Sequence, residues 1–291
     1  MDGSRYEERV SKYHWQYGGV GFSHTREGYE NGENPFRMGT YQMIEATQNR
    51  TTTSDAVWIP EILVGGDYAV YVSYQTVPGS IPDATYTVKH GGTATTFSVN
   101  QQMGGGTWVY LGTFHFTKGK SESNSIALSN LSAYKGVVTA DAVRFGGGMG
   151  NVARGDSLKL SGLPRYLEGA RYALQYSGFP YEVYTPSEGE KDYNDDINSR
   201  SRAVNHLIGG SAFCPDSAGL RVPIEMTLGF HSDAGFSKTD EWIGSLGIYT
   251  TDFNEYDANF FIGMDNPWTA ETHTRQSPID APPPVEDPEN D

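Results

Sequence analysis

YAVYVSY (Tyr68–Tyr74) and WVYLGTFHF (Trp108–Phe116) decide how this chain folds. In the first, Tyr68, Val70, Val72 and Tyr74 alternate with Ala69, Tyr71 and Ser73. In the second, Trp108, Tyr110, Gly112, Phe114 and Phe116 oppose Val109, Leu111, Thr113 and His115. A period of two places each set on one face of a strand. Similar short runs cover residues 41–46, 56–59, 84–89, 95–99, 125–128 and 137–145, separated by Pro-Gly, Gly-Gly and Lys-Gly turns. Such spacing predicts an antiparallel β-sandwich over residues 36–147.

Outward from this block the pattern changes. Residues 1–35 read as a polar, Gly-rich segment with a helical stretch over Glu7–Trp15. After the GGGMG run at 146–150, apolar residues recur at helical spacing. Pro164 stands at a first-turn position, Leu167, Ala170 and Leu174 share a face, and Gly178 closes the helix. A second helix is predicted with Asp195 or Asp196 as its cap and Ile197, Arg200, Val204 and Leu207 on one side. VPIEMTLGF (222–230) and IGSLGIYTT (243–251) read as strands, which gives an α/β layer over 148–262. Residues 263–291, ending in SPIDAPPPVEDPEND, read as a disordered acidic tail. The fold class expected is therefore α+β in two domains, a sandwich and a partial α/β domain.

Charge narrows the function. A formal charge of −15 disfavours non-specific binding to nucleic acid or anionic membrane and suits neutral or cationic polymers. One cysteine, Cys214, rules out an intrachain disulfide and reads as a buried thiol. No apolar run reaches the roughly 18 residues of a membrane-spanning helix. The first thirty residues hold no signal-peptide core; the expectation is a secreted, periplasmic or cell-surface protein whose exported start lies upstream.

Two stretches resemble known families. AVWIPEILVGGDYAVYVSY, ATYTVKHGG, TTFSVNQQ, GTWVYLGTFHF and VVTADAVRF resemble, in that order, the golvesin C-terminal-like domain, also found in proteins labelled xanthan lyase. The resemblance implies a jelly-roll-like sandwich. PRYLEGARYALQYSGFPYEVY, DDINSRSRAVNHL and MTLGFHSDAG resemble the zinc-dependent N-acetylmuramoyl-L-alanine amidases, interrupted by the sandwich. That second resemblance implies zinc held by Glu168 and His231, with Asp233 as an outer partner of the imidazole and Arg200 available to a substrate carboxylate. A hydrolytic zinc site uses three protein ligands and a water. The family's further His, in a Gly-His-Gly segment, has no counterpart before the sandwich, and no strand-borne general base follows Thr251, where Glu255 and Glu271 sit in loop-like sequence. An incomplete or degenerate member is the expectation.

Each of these residues also has an ordinary role. Glu168 can pair with Arg171, His231 can bond a loop carbonyl, Asp233 can cap a turn, and Arg200 can pair with Asp195 or Asp196. His24 in GFSHTREG is the remaining candidate for the missing ligand. Three functions stay open: an amidase-like hydrolase acting on peptidoglycan, a non-catalytic module holding a cell-surface polysaccharide, and a lyase. For the second, Trp58, Trp108 and the tyrosines could offer a platform to sugar rings, against the commoner role of strand aromatics as core.

Overall fold

The computed structural model describes residues 5–23, 28–146, 151–154, 159–160, 169–227, 245–249 and 273–277. The chain divides into two compact units, Met1–Pro223 and Ile224–Asp291.

In the first unit, strands β1 (Tyr6–Arg9), β2 (Gln16–Gly21), β3 (Gly28–Tyr29) and β4 (Gly39–Glu45) open the chain. There follow β5 (Asp55–Trp58), β6 (Glu61–Ile62), β7 (Gly66–Ser73), β8 (Ala84–His90), β9 (Thr93–Val99) and β10 (Val109–Phe116). Then come β11 (Gly119–Lys120), β12 (Ser125–Ser129), β13 (Val137–Ala140), β14 (Ala142–Phe145), β15 (Asn151–Arg154) and β16 (Lys159–Leu160). Three antiparallel sheets form the body, in the orders β1-β5-β12-β8-β9, β10-β7-β14 and β13-β4-β2. Their inner faces share one core in which Val70, Val72, Tyr86, Val88, Phe116, Ile126 and Leu128 are fully buried. The alternation of Val70, Val72 and Tyr74 toward the core is as the period of two predicts.

The second deciding stretch departs from simple alternation. Tyr110 pairs with Tyr71 and Gly112 with Val70, so Leu111 is the extra residue of a β-bulge. Val109 and Leu111 face the core ahead of the bulge, and Phe114 and Phe116 face it afterwards. Trp108 and Tyr110 therefore do not share a face with Phe116, and Tyr110 is left 55% exposed. Gly112 has φ +155, and a Cβ there would fall 2.8 Å from the Phe114 ring.

The N-terminal segment corrects the helix expected over Glu7–Trp15. β1 pairs with β5 as an edge of the five-stranded sheet, and β2 pairs with β4. Trp15 between them is 6% exposed and joins the main core. Strand pairing to distant partners overrides the local pattern here, which is the usual weakness of propensity as a guide. The run at 137–145 is likewise two strands, β13 and β14, which belong to different sheets and break at Asp141.

Helices α1 (Ala170–Tyr176), α2 (Tyr181–Tyr184) and α3 (Asp192–Ile208) complete the unit. α3 begins three residues ahead of Asp195, with Lys191 at the N-cap position, so neither Asp195 nor Asp196 caps it. Its buried side is Asp195, Ser199 and Ala203, whereas Ile197 is 45% exposed. The Asp195 carboxylate accepts the backbone N–H of Ser187 at 2.6 Å, which is why a charged residue takes the buried face. Val222–Thr227 carries no strand. In the second unit, β17 (Ser245–Tyr249) pairs antiparallel with β18 (His273–Ser277), the latter within the stretch read as a disordered tail. Backbone pairing between remote polar segments leaves no compositional mark.

Trp15→Ala should cost about 3–5 kcal/mol, the usual range for deleting a buried Trp, measured by chemical denaturation. A loss below about 1 kcal/mol would show that residues 5–21 are not integral to the sandwich core.

Candidate functional site

The first unit holds a cleft of about 610 Å3. Its volume lies within the roughly 300–1,000 Å3 of small-molecule sites. One wall is the turn Val77-Pro78-Gly79-Ser80 with Gln75 and Thr76 before it, and the floor includes Gln102 and Gly105. Gly219-Leu220-Arg221 supplies a second wall.

Sequence explains the first wall. Pro78 fixes its own φ and Gly79 adopts φ +84, the pattern of a type II turn, closed by Ser80 N–H donating to Val77 O at 3.0 Å. The Ser80 hydroxyl accepts from Val77 N–H, and the Gln102 amide donates to Ser80 O. Gly105 lies so close to residue 76 that a Cβ would fall 2.2 Å from Thr76 N, which requires glycine. The second wall is a segment threaded between helix and sandwich. Leu220 N–H donates to His206 O, Arg221 N–H to Gly209 O, and Gly104 N–H to Leu220 O.

Behind the cleft lies a buried polar network. Asp141 accepts from Phe22 N–H at 2.8 Å, from the Gln75 amide at 2.9 Å and from the Ser73 hydroxyl at 3.5 Å. Thr139 exchanges bonds with the Gln75 main chain and with the Gln101 side chain, which also reaches Tyr86. Burial pushes the Asp141 carboxyl up to about 6, against the pull of the three donors in the opposite direction.

A second feature is an aromatic row on the outer face of the β10-β7-β14 sheet. Tyr110, Tyr71 and Arg144 are neighbours in register across the three strands. The Tyr71 and Tyr110 rings lie 5.2 Å apart, and the Arg144 guanidinium stands 4.2 Å from the Tyr71 centroid. Arg144 also faces Trp108 and Tyr176, at 5.3 and 5.6 Å. Trp108 packs with Phe22, Phe36 and Tyr176, so it mortars α1 to the sandwich. Trp58 is 8% exposed, against Tyr6. Both tryptophans thus serve packing, and the exposed ring of this row is Tyr110.

Of the residues singled out from the sequence, Glu168, His231 and Asp233 lie outside the described residues, as does His24. Arg200 lies on α3, where its guanidinium pairs with Asp196 at 2.9 Å, one helical turn away. Among the described residues no group of three His, Cys, Asp or Glu side chains is arranged to hold a metal. Cys214 is a free, half-buried thiol. Gln75, Gln102 and Arg221 were not among the sequence candidates. The Val-Pro-Gly-Ser turn is the one local signal that marks their surroundings.

With the geometry in place, comparison with known proteins identifies the sandwich. Residues 30–147 match the model of the golvesin C-terminal domain. This stretch is a golvesin C-terminal domain. Xanthan lyase from Bacillus sp. (strain GL1) is 31% identical over 93 residues, which cover 32% of this chain and 10% of that protein. The chain therefore spans about a tenth of the length of the curated relative it matches. Among solved structures, xanthan lyase from Paenibacillus aligns with 50% of this chain and 12% of its own, at 24% identity and a TM-score of 0.38. The mannan-binding module from Man5C aligns with 36% of this chain and 80% of its own, at 15% identity and a TM-score of 0.26.

Between about pH 4 and 6 the folded golvesin domain retains the Asp141 proton that an unfolded aspartate releases. Stability from this group is therefore greatest below pH 4 and is lost as pH rises through 6. Lowering pH from 7.5 to 5 should add about 1 kcal/mol from Asp141. Parallel denaturant titrations of the native chain and Asp141→Asn should show the smaller pH response in the variant; identical responses would place the titration elsewhere.

Proposed function

We propose that the golvesin domain of this chain is a non-catalytic carbohydrate-binding module of a secreted or cell-surface polysaccharide-processing protein. The observation that carries the reading is the 31% identity with a xanthan lyase, confined to 93 residues of this chain. The cleft supports it: amides, hydroxyls and exposed backbone line it in preference to an apolar wall, and hydroxyl-rich ligands are recognised by a few placed polar groups. Tyr110 on the outer face adds an exposed ring for a sugar's C–H face. Among the described residues no helix is long and apolar enough to cross a membrane. Affinity electrophoresis of the full chain through gels containing neutral and acidic polysaccharides tests the reading. Retardation by at least one polymer, reversed by its soluble oligosaccharides, is the expected result. Unchanged mobility in every gel would refute it.

The amidase-like reading of residues 148–251 is a separate proposal, supported by sequence resemblance alone. In it Glu168 and His231 would hold zinc, which supplies an activated water; Asp233 would orient the imidazole, and Arg200, freed from Asp196, would take a carboxylate of a peptidoglycan stem peptide. The family's Gly-His-Gly ligand and strand-borne general base have no counterpart in the stretches that carry the resemblance, and His24 is the remaining candidate for the former. We therefore expect weak zinc binding and no amide cleavage. Sub-micromolar zinc affinity by isothermal titration, together with peptide release abolished by His231→Ala, would contradict that expectation.

A further inference from the structure

We propose that the cleft between the Val77–Ser80 turn and Gly219–Arg221 selects a sugar residue bearing a carboxylate, with the Arg221 guanidinium as the anion contact. The inference rests on the carbohydrate-binding reading above and adds the chemical class of the ligand and the residue that reads it.

Local charge is the first support. The chain carries 36 acidic against 21 basic residues, yet the cleft is lined by one cation, Arg221, and by no carboxylate. The carboxylate nearest in the hydrogen-bond network, Asp141, is 2% exposed behind Gln75 and already accepts three hydrogen bonds. The negative charge of the whole molecule acts over distances screened beyond about 8 Å at physiological salt, so a bound anion answers mainly to this basic recess.

Backbone conformation is the second support and is independent of charge. Arg221 has φ +63 and, with Glu188, is one of two non-glycine residues at positive φ among the described residues. Side chains other than glycine rarely hold that conformation without a reason. Two neighbours over-determine it: Arg221 N–H donates to Gly209 O at 3.0 Å, and the stem crosses Gly210, where a Cβ would fall 3.3 Å from Arg221 Cγ. Glycine at 221 would relieve the strain, so an arginine held there points to use of its side chain. Thr76 and Gln102 line the same cleft. The Thr76 oxygen accepts from Gly105 N–H and the Gln102 amide N–H donates to Ser80 O, an arrangement that leaves the Thr76 hydroxyl proton and the Gln102 carbonyl for ring hydroxyls. A guanidinium, an amide and a hydroxyl lining one cleft suit a uronate or a similar acidic sugar.

The test uses the full chain in affinity gels containing xanthan or the same polymer after carboxyl reduction, with the native chain, Arg221→Gly and Arg221→Lys. The native chain should bind the carboxylated polymer about tenfold more tightly. Arg221→Gly should melt no lower than the native chain and lose that preference, whereas Arg221→Lys should keep part of it. A structural role for Arg221 would instead lower the melting temperature of the glycine variant. Equal retardation of the native chain by both polymers would overturn the carboxylate inference while leaving polysaccharide binding intact. Retention of the preference by Arg221→Gly would overturn the role of Arg221. No retardation by either polymer, nor by any other polysaccharide, would overturn both this inference and the reading beneath it.

Discussion

Asp141 holds three sheets in register from inside. It interrupts a nine-residue run, residues 137–145, whose first part pairs in the β13-β4-β2 sheet and whose second part pairs in the β10-β7-β14 sheet. A buried carboxylate is costly unless its oxygens are satisfied. Here each partner comes from a different place: Phe22 just past β2, Ser73 at the end of β7, and Gln75 in the loop beyond it. Through Thr139 and Gln101 the same network reaches Tyr86 of the five-stranded sheet. Removing one member strands the others, so the network specifies one arrangement of sheets in a way that apolar contacts alone do not. Gly21 permits the approach, since a Cβ there would meet the Asp141 carboxylate at 2.6 Å.

The same network positions the cleft. Gln75 is both a partner of Asp141 and a lining residue, so the wall that leads into the Val77–Ser80 turn hangs from the molecule's interior. The second wall is supplied by chain beyond the golvesin domain. Helix α1 docks through Tyr176 against Phe22 and Trp108 and through the Gln175 amide on Glu30 O and Glu33 O; α3 then delivers residues 219–222 across its own C-terminal end. Gly178, at φ +80, fits where a Cβ would lie 2.5 Å from the Phe36 ring. The recess is thus a joint product of the sandwich and the helices that follow it, and a sandwich cut at residue 147 would present only one of its walls.

Much of the sandwich was legible in the sequence because a half-buried strand must alternate. Val70, Val72 and Tyr74 fall on the core side as their spacing requires. Legibility failed where one residue changes the phase or where long-range pairing decides. The bulge at Leu111 inverted the reading of Trp108–Phe116, and Glu7–Trp15 looked helical because its flanks pair with strands remote in sequence, Arg9 with Asp55 and Gln16 with Met43. On α3 the apolar residues misled, since buried Asp195 and Ser199 face inward with hydrogen bonds of their own. The cleft was invisible for a related reason: Gln75, Gln102 and Arg221 have no shared motif, and only the folded chain brings them to one recess. Glu168, His231 and Asp233 stand on a family resemblance and lie outside the described residues.

A crystal structure of the full chain with an acidic oligosaccharide cut from xanthan addresses the account most directly. The account predicts a sugar seated between the Val77–Ser80 turn and residues 219–221, its carboxylate within hydrogen-bond distance of Arg221 and a ring hydroxyl on Thr76 or Gln102. A sugar stacked on Tyr110 and Tyr71 with the cleft vacant, in crystals where no neighbouring molecule blocks it, would contradict it.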